Sequence, residues 1–455
     1  MTFRGGRPEI GRRTLLNGAM LVGVTAALST GEVQATPAFA DAGTAPAPSG
    51  HYPSNWPDLT PYGLADTRID LWPRDDNSFL LPLELRPRDQ ERGRVWIRDP
   101  YVNCFKVNGR PLYVATGTTR VPGLAAAQPW NDGFFVWTSP SLNGPWRLAD
   151  TTGIRPNAEK GKVWSPEFAD ENTPERTVVA PWQEYWYDSQ FGKRGEAWAP
   201  EIHYFRGRWY IVGCMGDHSQ KVGSFLLVSD GGVEGPYRVA TGNIDKPFGD
   251  SFIGGPAFVK PGSYFHIDGS MYTEDDAAWL VLHNNLYARF RDDMEDIVPN
   301  TQLPAFTQTP YSPEPYLEGA YVFNYGGKYY LMQAAWDRVS TAPDGTQRYA
   351  YDTPAPGRSQ YQYDLVMAVS DHFEGPYSPR WTAGVGCGGN NVFEDESGHL
   401  WTTFFRNPAA GYWADPTRAA DTAVPGVARL EWTGPDGNRL YVKRQNVGHA
   451  DRSQQ

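Results

Sequence analysis

Three acidic residues occupy equivalent positions in the chain. Each lies seven to nine residues before a turn that contains glycine or aspartate, and each precedes a small residue or proline and then a strand with aromatic residues. These residues are Asp99, Asp268 and Glu318. Carboxyl groups serve as general acids and bases when their surroundings hold one ionised and another protonated. The shared position predicts acid–base chemistry, provided that the fold brings the three together.

The elements that would position these acids are five hairpins. Each predicted turn separates two segments rich in aromatic and β-branched residues, the pattern of a β-hairpin. The turns are Asn108-Gly109-Arg110, Arg206-Gly207-Arg208, Asp275-Asp276, Gly326-Gly327-Lys328 and Ser397-Gly398-His399. A Gly-Pro-aromatic segment also recurs, at Gly144-Pro145-Trp146, Gly235-Pro236-Tyr237 and Gly375-Pro376-Tyr377.

This repetition predicts an all-β chain folded as a five-bladed β-propeller. A β-sandwich is the alternative, although five strand-turn repeats suit it poorly. The inner strands of all blades converge in a propeller, so acids at their starts would meet although they are far apart in sequence. The hairpin within 428–442 is expected to pack on the last blade.

The composition excludes several other classes. The 455 residues include 48 Gly and 39 Pro, about 19% of the chain, which argues against a helical bundle or a doubly wound α/β domain. The net charge is −11 and no basic cluster is present, so nucleic acid is not an expected partner. The sparse cysteines Cys104, Cys214 and Cys387 favour buried free thiols over a disulfide framework.

The N-terminal segment differs from the rest. Arg12 and Arg13 precede an apolar segment over 15–28, and Ala38-Phe39-Ala40 resembles a cleavage site. This pattern predicts a twin-arginine signal peptide over residues 1–40 and a flexible leader over 41–60. A single domain over 61–450 would follow, secreted or periplasmic, with no membrane association after cleavage.

An ordered set of motifs resembles glycoside hydrolase family 43. The matching stretches are Asp99-Pro100 with its following strand, Trp198-Ala199-Pro200-Glu201-Ile202-His203-Tyr204, Ile267-Asp268-Gly269-Ser270, Glu318-Gly319-Ala320-Tyr321 and Leu430-Glu431-Trp432-Thr433-Gly434-Pro435-Asp436-Gly437. The resemblance implies a five-bladed propeller that hydrolyses glycosidic bonds with inversion. Asp99 would be the general base, Glu318 the general acid, and Asp268 the residue that raises the pKa of the acid by like-charge repulsion.

The resemblance also suggests which residues bind the sugar. Trp198 is the first candidate for stacking on a sugar face, and Arg406 could bind hydroxyl groups or orient a carboxylate. Members often carry a histidine in the fifth blade that can support a central calcium ion, whereas this chain has Cys387 there. Calcium prefers oxygen ligands, so no cofactor is expected and calcium is doubtful. Glu201 and His203 are expected to be structural, and Asp275 and Asp276 to be turn residues.

The expected substrate is a plant- or algal-type polysaccharide or oligosaccharide containing arabinose, xylose or galactose. Two alternatives stay open at this stage. One is a related propeller glycosidase acting on another sugar such as anhydrogalactose, where a histidine can be the acid. The other is a non-catalytic propeller that only binds carbohydrate. Specificity would depend on insertions over 146–197, which carries Trp164, Trp182, Tyr185 and Trp186, and around 337–362.

Overall fold

The computed structural model describes the following residues, and every structural statement refers to them: 77–83, 97–119, 133–154, 160–165, 187–188, 193–194, 196–216, 222–243, 248, 268–282, 286–298, 317–335, 339–341, 347–349, 364–378, 380–384, 387–389, 391–405, 425–433 and 437–443. The predicted signal peptide, the leader and Arg406 lie outside these ranges. Within them, no helix has the length and apolar character needed to cross a membrane.

The described chain is made of short antiparallel strands. The first group is β1 (Ser78–Leu80), β2 (Ile97–Val107), β3 (Arg110–Thr119), β4 (Phe134–Phe135), β5 (Trp137–Ser139), β6 (Arg147–Leu148), β7 (Lys162–Trp164), β8 (Tyr187–Asp188) and β9 (Lys193–Arg194). The second is β10 (Glu196–Phe205), β11 (Arg208–Gly216), β12 (Val222–Gly232), β13 (Gly235–Val239), a 3-10 turn (Thr241–Asn243), β14 (Ser270–Glu274), β15 (Ala277–Val281) and β16 (Tyr287–Arg289). The third is β17 (Leu317–Tyr325), β18 (Lys328–Ala335), β19 (Val339–Thr341), β20 (Gln347–Tyr349), β21 (Asp364–Ser370), β22 (Trp381–Gly384), β23 (Val392–Glu394), β24 (Leu400–Phe405), β25 (Pro425–Thr433) and β26 (Arg439–Val442).

These strands form five blades, so the predicted five-bladed propeller is confirmed. The strand orders are β2-β3-β5-β6, β10-β11-β12-β13, β14-β15-β16, β17-β18-β21-β22 and β23-β24-β25-β1. Each predicted turn joins the first two strands of one blade, including the turn at Asp275 and Asp276. Strand β1 pairs with β25 and completes the fifth blade with the N-terminal end of the described chain.

The expected C-terminal hairpin is formed by β25 and β26. This hairpin is part of the last blade and does not merely pack on it, because β25 is the third strand of that blade. Three further two-stranded pairs lie outside the blades, namely β4 with β7, β8 with β9, and β19 with β20.

The Gly-Pro-aromatic repeats have one structural role. They connect the third and fourth strands of the first and fourth blades and begin the fourth strand of the second, and their glycines have positive φ angles of 92°, 99° and 99°. Glycine adopts this conformation without the steric cost of a Cβ atom. The aromatic side chain then donates to a carbonyl four residues earlier: Trp146 to Leu142 at 3.1 Å, Tyr237 to Val233 at 3.1 Å and Tyr377 to Phe373 at 2.9 Å.

Among the described residues, the apolar core has five large clusters, one between each pair of neighbouring blades, and two small ones. For example, Ile202 and Phe225 of the second blade pack with Val114 of the first. The other clusters join the second blade to the third, the third to the fourth, the fourth to the fifth and the fifth to the first. Burial of alternate strand residues on both faces of a blade therefore holds the ring together.

Hydrogen bonds between neighbouring innermost strands close the same ring near its centre. They are Tyr101 Oη with His203 Nδ1 at 3.3 Å, Met271 N to Glu201 Oε2 at 3.3 Å, Gly319 N to Asp268 Oδ2 at 3.2 Å, Tyr321 Oη to Val392 O at 3.1 Å, and Val102 N to Asn391 Oδ1 at 3.1 Å. One side chain bridges each of the five blade junctions. The starts of the inner strands, where the predicted acids lie, are thus fixed relative to one another.

Candidate active site

The innermost strands share a local distortion at the predicted acids. Asp99, Ala199 and Asp268 have positive φ angles of 48°, 44° and 51°, and Gly319 has one of 70°. Pairing shifts register at three of these points, between Arg98 and Tyr101, Trp198 and Glu201, and Glu318 and Tyr321. A β-bulge turns a side chain away from the regular pleat and is common beside active sites. Four blades therefore share a left-handed backbone residue at or just before the start of the inner strand.

Asp99 lies at the bulge of the first blade and is half-buried. Its Oδ2 accepts a hydrogen bond of 2.7 Å from the hydroxyl of Thr118. Burial raises the pKa of Asp99, as does the charge of Asp268, whereas the neighbouring Arg98 and the Thr118 hydrogen bond oppose that rise. A carboxylate with a raised pKa binds a proton more strongly, which suits a general base.

Asp268 lies at the start of the third blade and connects the other two acids. Its charge acts on Asp99 in the first blade. Its Oδ2 accepts the backbone amide of Gly319, the residue that follows Glu318 in the fourth blade, at 3.2 Å. Asp268 therefore joins Asp99 of the first blade to the backbone beside Glu318 in the fourth, and these three residues are named the acid cluster. That all three carboxyl groups converge stays a prediction.

Glu318 is buried in β17, with 9% of its surface exposed. Behind its bulge, Gln333 Nε2 donates to the carbonyl of Gly319 at 3.3 Å, and Arg380 Nε donates to Gln333 Oε1 at 3.0 Å. Gln333 and Arg380 are both buried. These contacts support the peptide bond between Gly319 and Ala320 and fix the strand from which the Glu318 side chain projects.

Trp198, the predicted stacking residue, is half-buried beside the same cluster and packs against Ala199 and Cys214. The buried thiol of Cys214 lies 3.6 Å from the carbonyl of Trp198 and 3.8 Å from Asp268 Oδ1. Trp198 is therefore tied to the acid cluster through one shared neighbour. Trp164 is different, because it is 3% exposed and packs against Phe134, so this part of the proposed specificity insertion is core.

Glu201 and His203 form a buried hydrogen-bonded network, in keeping with the structural role expected for them. His203 Nε2 lies 3.1 Å from Glu201 Oε2, and its Nδ1 lies 3.3 Å from the hydroxyl of Tyr101. Tyr101 in turn contacts Tyr321, with ring centroids 6.3 Å apart. Both ring nitrogens of His203 therefore have partners within the protein.

The expectation of free thiols agrees with the structure, where Cys214 and Cys387 are buried and Cys104 is partly exposed. Cys387 packs in the apolar cluster between the fourth and fifth blades. Among the described residues, no group of three His, Cys, Asp or Glu side chains could hold a metal ion. The thiol at this position does not fit a calcium site, and no catalytic step is derived through calcium.

Two further residues near the acids, Thr118 and Asn391, are not among the predicted site residues. Asn391 binds both backbone polar groups of Val102 and joins the fifth blade to the first. Thr118 could have been found by counting. The turn pairs Val107 with Arg110, and regular pairing from there places Thr118 opposite Asp99; the bulge moves that partner to Arg98.

Comparison with known proteins identifies the family. A family model described as "Glycosyl hydrolases family 43" matches residues 175–435, more than half of the chain. The chain belongs to this family. It is a glycosidase, which excludes the non-catalytic sugar-binding propeller left open above. No functionally curated protein sequence matches it.

Similar solved structures include three glycoside hydrolases. A thermostable family-43 glycoside hydrolase has 17% identity and a TM-score of 0.48, covering 80% of this chain and 96% of its own. The RS223 β-xylosidase has 14% identity and a TM-score of 0.47, with coverages of 78% and 97%. An endo-arabinase from Bacteroides thetaiotaomicron has 16% identity and a TM-score of 0.44, with coverages of 74% and 95%.

Proposed function

We propose that this glycosidase is exported and hydrolyses a plant- or algal-type polysaccharide or oligosaccharide with inversion at the anomeric carbon. Arabinose- and xylose-containing glycans are the first candidates and galactans the next, following the family resemblance. In this proposal Asp99 is the general base, Glu318 the general acid, and Asp268 the modulator of the acid.

The observation that carries the proposal is that Asp268 interacts both with Asp99 and with the strand that carries Glu318. Asp268 exerts its charge on Asp99 and binds the amide of Gly319, next to Glu318. Inversion requires one ionised and one protonated carboxyl group, and a third negative charge beside a carboxyl group favours its protonated form. A cluster of three acids from separate blades meets this requirement, whereas a single buried acid would not.

The reaction follows from these roles. The ionised Asp99 takes a proton from a water molecule, whose oxygen forms a bond to the anomeric carbon. The glycosidic bond on the opposite face breaks, and Glu318 gives its proton to the departing oxygen. The product sugar carries the new hydroxyl in the inverted configuration. Asp99 is then protonated and Glu318 ionised, and proton exchange with solvent restores both.

Trp198 is proposed to bind the sugar. It is half-buried and adjoins the Ala199 bulge, at the level of the acids. The C–H faces of a sugar pack well on an indole ring, which has a large apolar surface. Arg406, which follows the described end of β24, stays a proposed partner for sugar hydroxyls or a carboxylate.

Export is proposed from the N-terminal pattern alone. Arg12 and Arg13, the apolar segment over 15–28 and the small residues before Asp41 are typical of a twin-arginine signal. N-terminal sequencing of the protein recovered from outside the cytoplasm should find Asp41 as the first residue. Replacing both arginines by lysine should retain the protein inside the cell.

The function is tested by a screen for reducing sugar released from arabinan, arabinoxylan, xylan and galactan. Asp99→Asn and Glu318→Gln should each lower kcat by about a thousandfold, in the range for general acid–base groups. Asp275→Asn is the matched control, since this exposed turn aspartate has the same left-handed conformation and lies outside the cluster.

Proton NMR of the first-formed product tests the stereochemistry. The inverted anomer should appear first and then mutarotate. Initial retention of configuration would contradict the mechanism, and full activity of both acid variants would contradict the assignment of residues.

A further inference from the structure

We propose that Thr118 is a positioning residue, which orients the Asp99 carboxylate, holds it in its ionised form and couples it to the sugar-binding bulge of the second blade. This inference rests on the proposed role of Asp99 as the general base. Neither the family motifs nor the sequence pattern assigns a role to Thr118.

The geometry is a two-bond relay through one hydroxyl group. Thr118 Oγ1 donates to Asp99 Oδ2 at 2.7 Å, and the backbone amide of Ala199 donates to Thr118 Oγ1 at 2.8 Å. Thr118 itself is 5% exposed. The relay therefore passes from β3 to the bulge of the neighbouring blade in a largely dry environment.

The direction of the relay is fixed by the number of protons. A hydroxyl group has one proton and two acceptor lone pairs. The amide of Ala199 can only donate, so it occupies an acceptor site of Thr118. The single hydroxyl proton is then available to Asp99 Oδ2, and a donated hydrogen bond favours the charged form of a carboxylate.

The other influences on Asp99 explain why the Thr118 hydrogen bond matters for its ionisation. Burial and Asp268 act against its ionisation, and Cys214 from β11 lies close enough to interact with it electrostatically. Arg98 from its own strand acts in favour, as Thr118 does. Without the hydroxyl, the favourable contribution of Thr118 is lost while burial and the charge of Asp268 still oppose ionisation.

The same hydroxyl links the base to the proposed sugar platform. Ala199 has a left-handed φ of 44° and follows Trp198 directly. A backbone held in that region by a buried hydrogen bond keeps the residues on either side in a defined orientation. Thr118 thus fixes the position of the base relative to the sugar-binding residue.

The test compares Thr118→Val, which keeps the shape and removes the hydroxyl, with Thr118→Ser, which keeps the hydroxyl. Thr116→Val is the matched control, because Thr116 is buried on the same strand and donates to Phe135 O at 2.8 Å. Carboxyl-carbon NMR of the aspartates follows Asp99 directly, its resonance being identified by its loss in Asp99→Asn. If Thr118→Val does not fold, Thr118→Ala takes its place.

The midpoint of the Asp99 titration should rise in Thr118→Val and stay near that of the wild type in Thr118→Ser and Thr116→Val. On a substrate identified by the screen, the acid limb of kcat/KM should move to higher pH in Thr118→Val. At a fixed pH on that limb the loss should be about tenfold, as expected for a hydrogen bond to a charged group.

An unchanged Asp99 midpoint in Thr118→Val would overturn the inference, as would equal shifts in the Val and Ser variants. The NMR titration needs no catalysis, so it separates this inference from the proposed function. Loss of activity in Asp99→Asn with no shift in Thr118→Val would leave the base assignment standing and reject the positioning role.

Discussion

Asp268 Oδ2 accepts the backbone amide of Gly319 across a blade junction, at 3.2 Å. The bond joins Asp268, just before the first strand of the third blade, to the bulge that follows Glu318 in the fourth. One carboxylate therefore has two separable functions, since its oxygen holds the neighbouring strand while its charge acts on Asp99. Substitutions can remove either property alone.

Asp268→Asn should keep most of the bond to Gly319, because an amide oxygen is also an acceptor, and should remove the charge. We expect kcat to fall about a hundredfold and the basic limb of the pH–rate profile to move to lower pH, since Glu318 would release its proton more easily. Asp268→Ala removes both properties and should also lower the melting temperature. Equal pH profiles for the wild type and Asp268→Asn would contradict the modulating role.

Much of the fold could be predicted because its signals are local. Gly109, Gly207 and Gly327 have positive φ angles in the tight turns of their hairpins, and such turns can be recognised within a few residues. Five of them in series indicate five repeated units. The closure by β1 could not be predicted in this way, since Phe79 pairs with Val427 from the far end of the chain and no local signal encodes that contact.

The sequence pattern predicts the three acids of the candidate site but not the residues that hold their strands in place. Asp99, Asp268 and Glu318 precede recognisable turns, whereas Gln333 and Arg380 depend on packing between strands that only the folded chain brings together. The bulge at Asp99 also changes the register by one residue, which reverses the faces expected from a regular strand.

Asp99→Asn should stabilise the protein at neutral pH while it abolishes activity. Burial raises the pKa of Asp99 above its ordinary value of 3.8, so the folded chain keeps this proton to a higher pH than the unfolded chain does. The contribution of Asp99 to the free energy of unfolding therefore becomes less favourable as pH rises from about 3.8 through the raised pKa. Thermal unfolding of both proteins from pH 3 to 8 checks this, because their difference should vanish at the acid end. A less stable Asp99→Asn at pH 7 would contradict the prediction.

Glu201→Ala should affect stability far more than catalysis. The buried Glu201 carboxylate is bonded to His203 and to the amide of Met271, and its loss leaves both groups without that partner. We expect the free energy of unfolding to fall by about 2–3 kcal/mol in urea titrations, and kcat/KM of the folded enzyme to stay within about tenfold. Glu396→Ala is the control, since Glu396 is exposed and should change stability by less than about 0.5 kcal/mol. A thousandfold loss of kcat in a folded Glu201→Ala protein would instead place Glu201 among the catalytic residues.

The three thiols should be unreactive in the native protein. Burial raises the pKa of Cys214 well above its usual range and that of Cys104 to about 11, and nearby Glu396 and Asp395 add to the rise at Cys104. Only the thiolate is nucleophilic. Treatment with iodoacetamide at pH 8 should therefore label none of the cysteines by mass spectrometry, and treatment in concentrated urea should label all three. Stoichiometric labelling of the native protein would show that these burial states are wrong.

The contacts of Glu295 should join the second and third blades with a strength that depends on pH. Burial acts to raise its pKa, but the paired hydrogen bonds from Arg238 and those from the amide and hydroxyl of Thr241 outweigh burial and lower the pKa from 4.5 to about 2. A lowered pKa stabilises the folded state above about pH 4.5, and that contribution is lost as pH falls towards 2. Glu295→Gln should therefore lower the free energy of unfolding at pH 7 by about 1–2 kcal/mol, a value reduced for partial solvent screening. The difference from the wild type should shrink steadily below pH 4.5, whereas a pH-independent difference would mean that packing, and not the charge of Glu295, joins these blades.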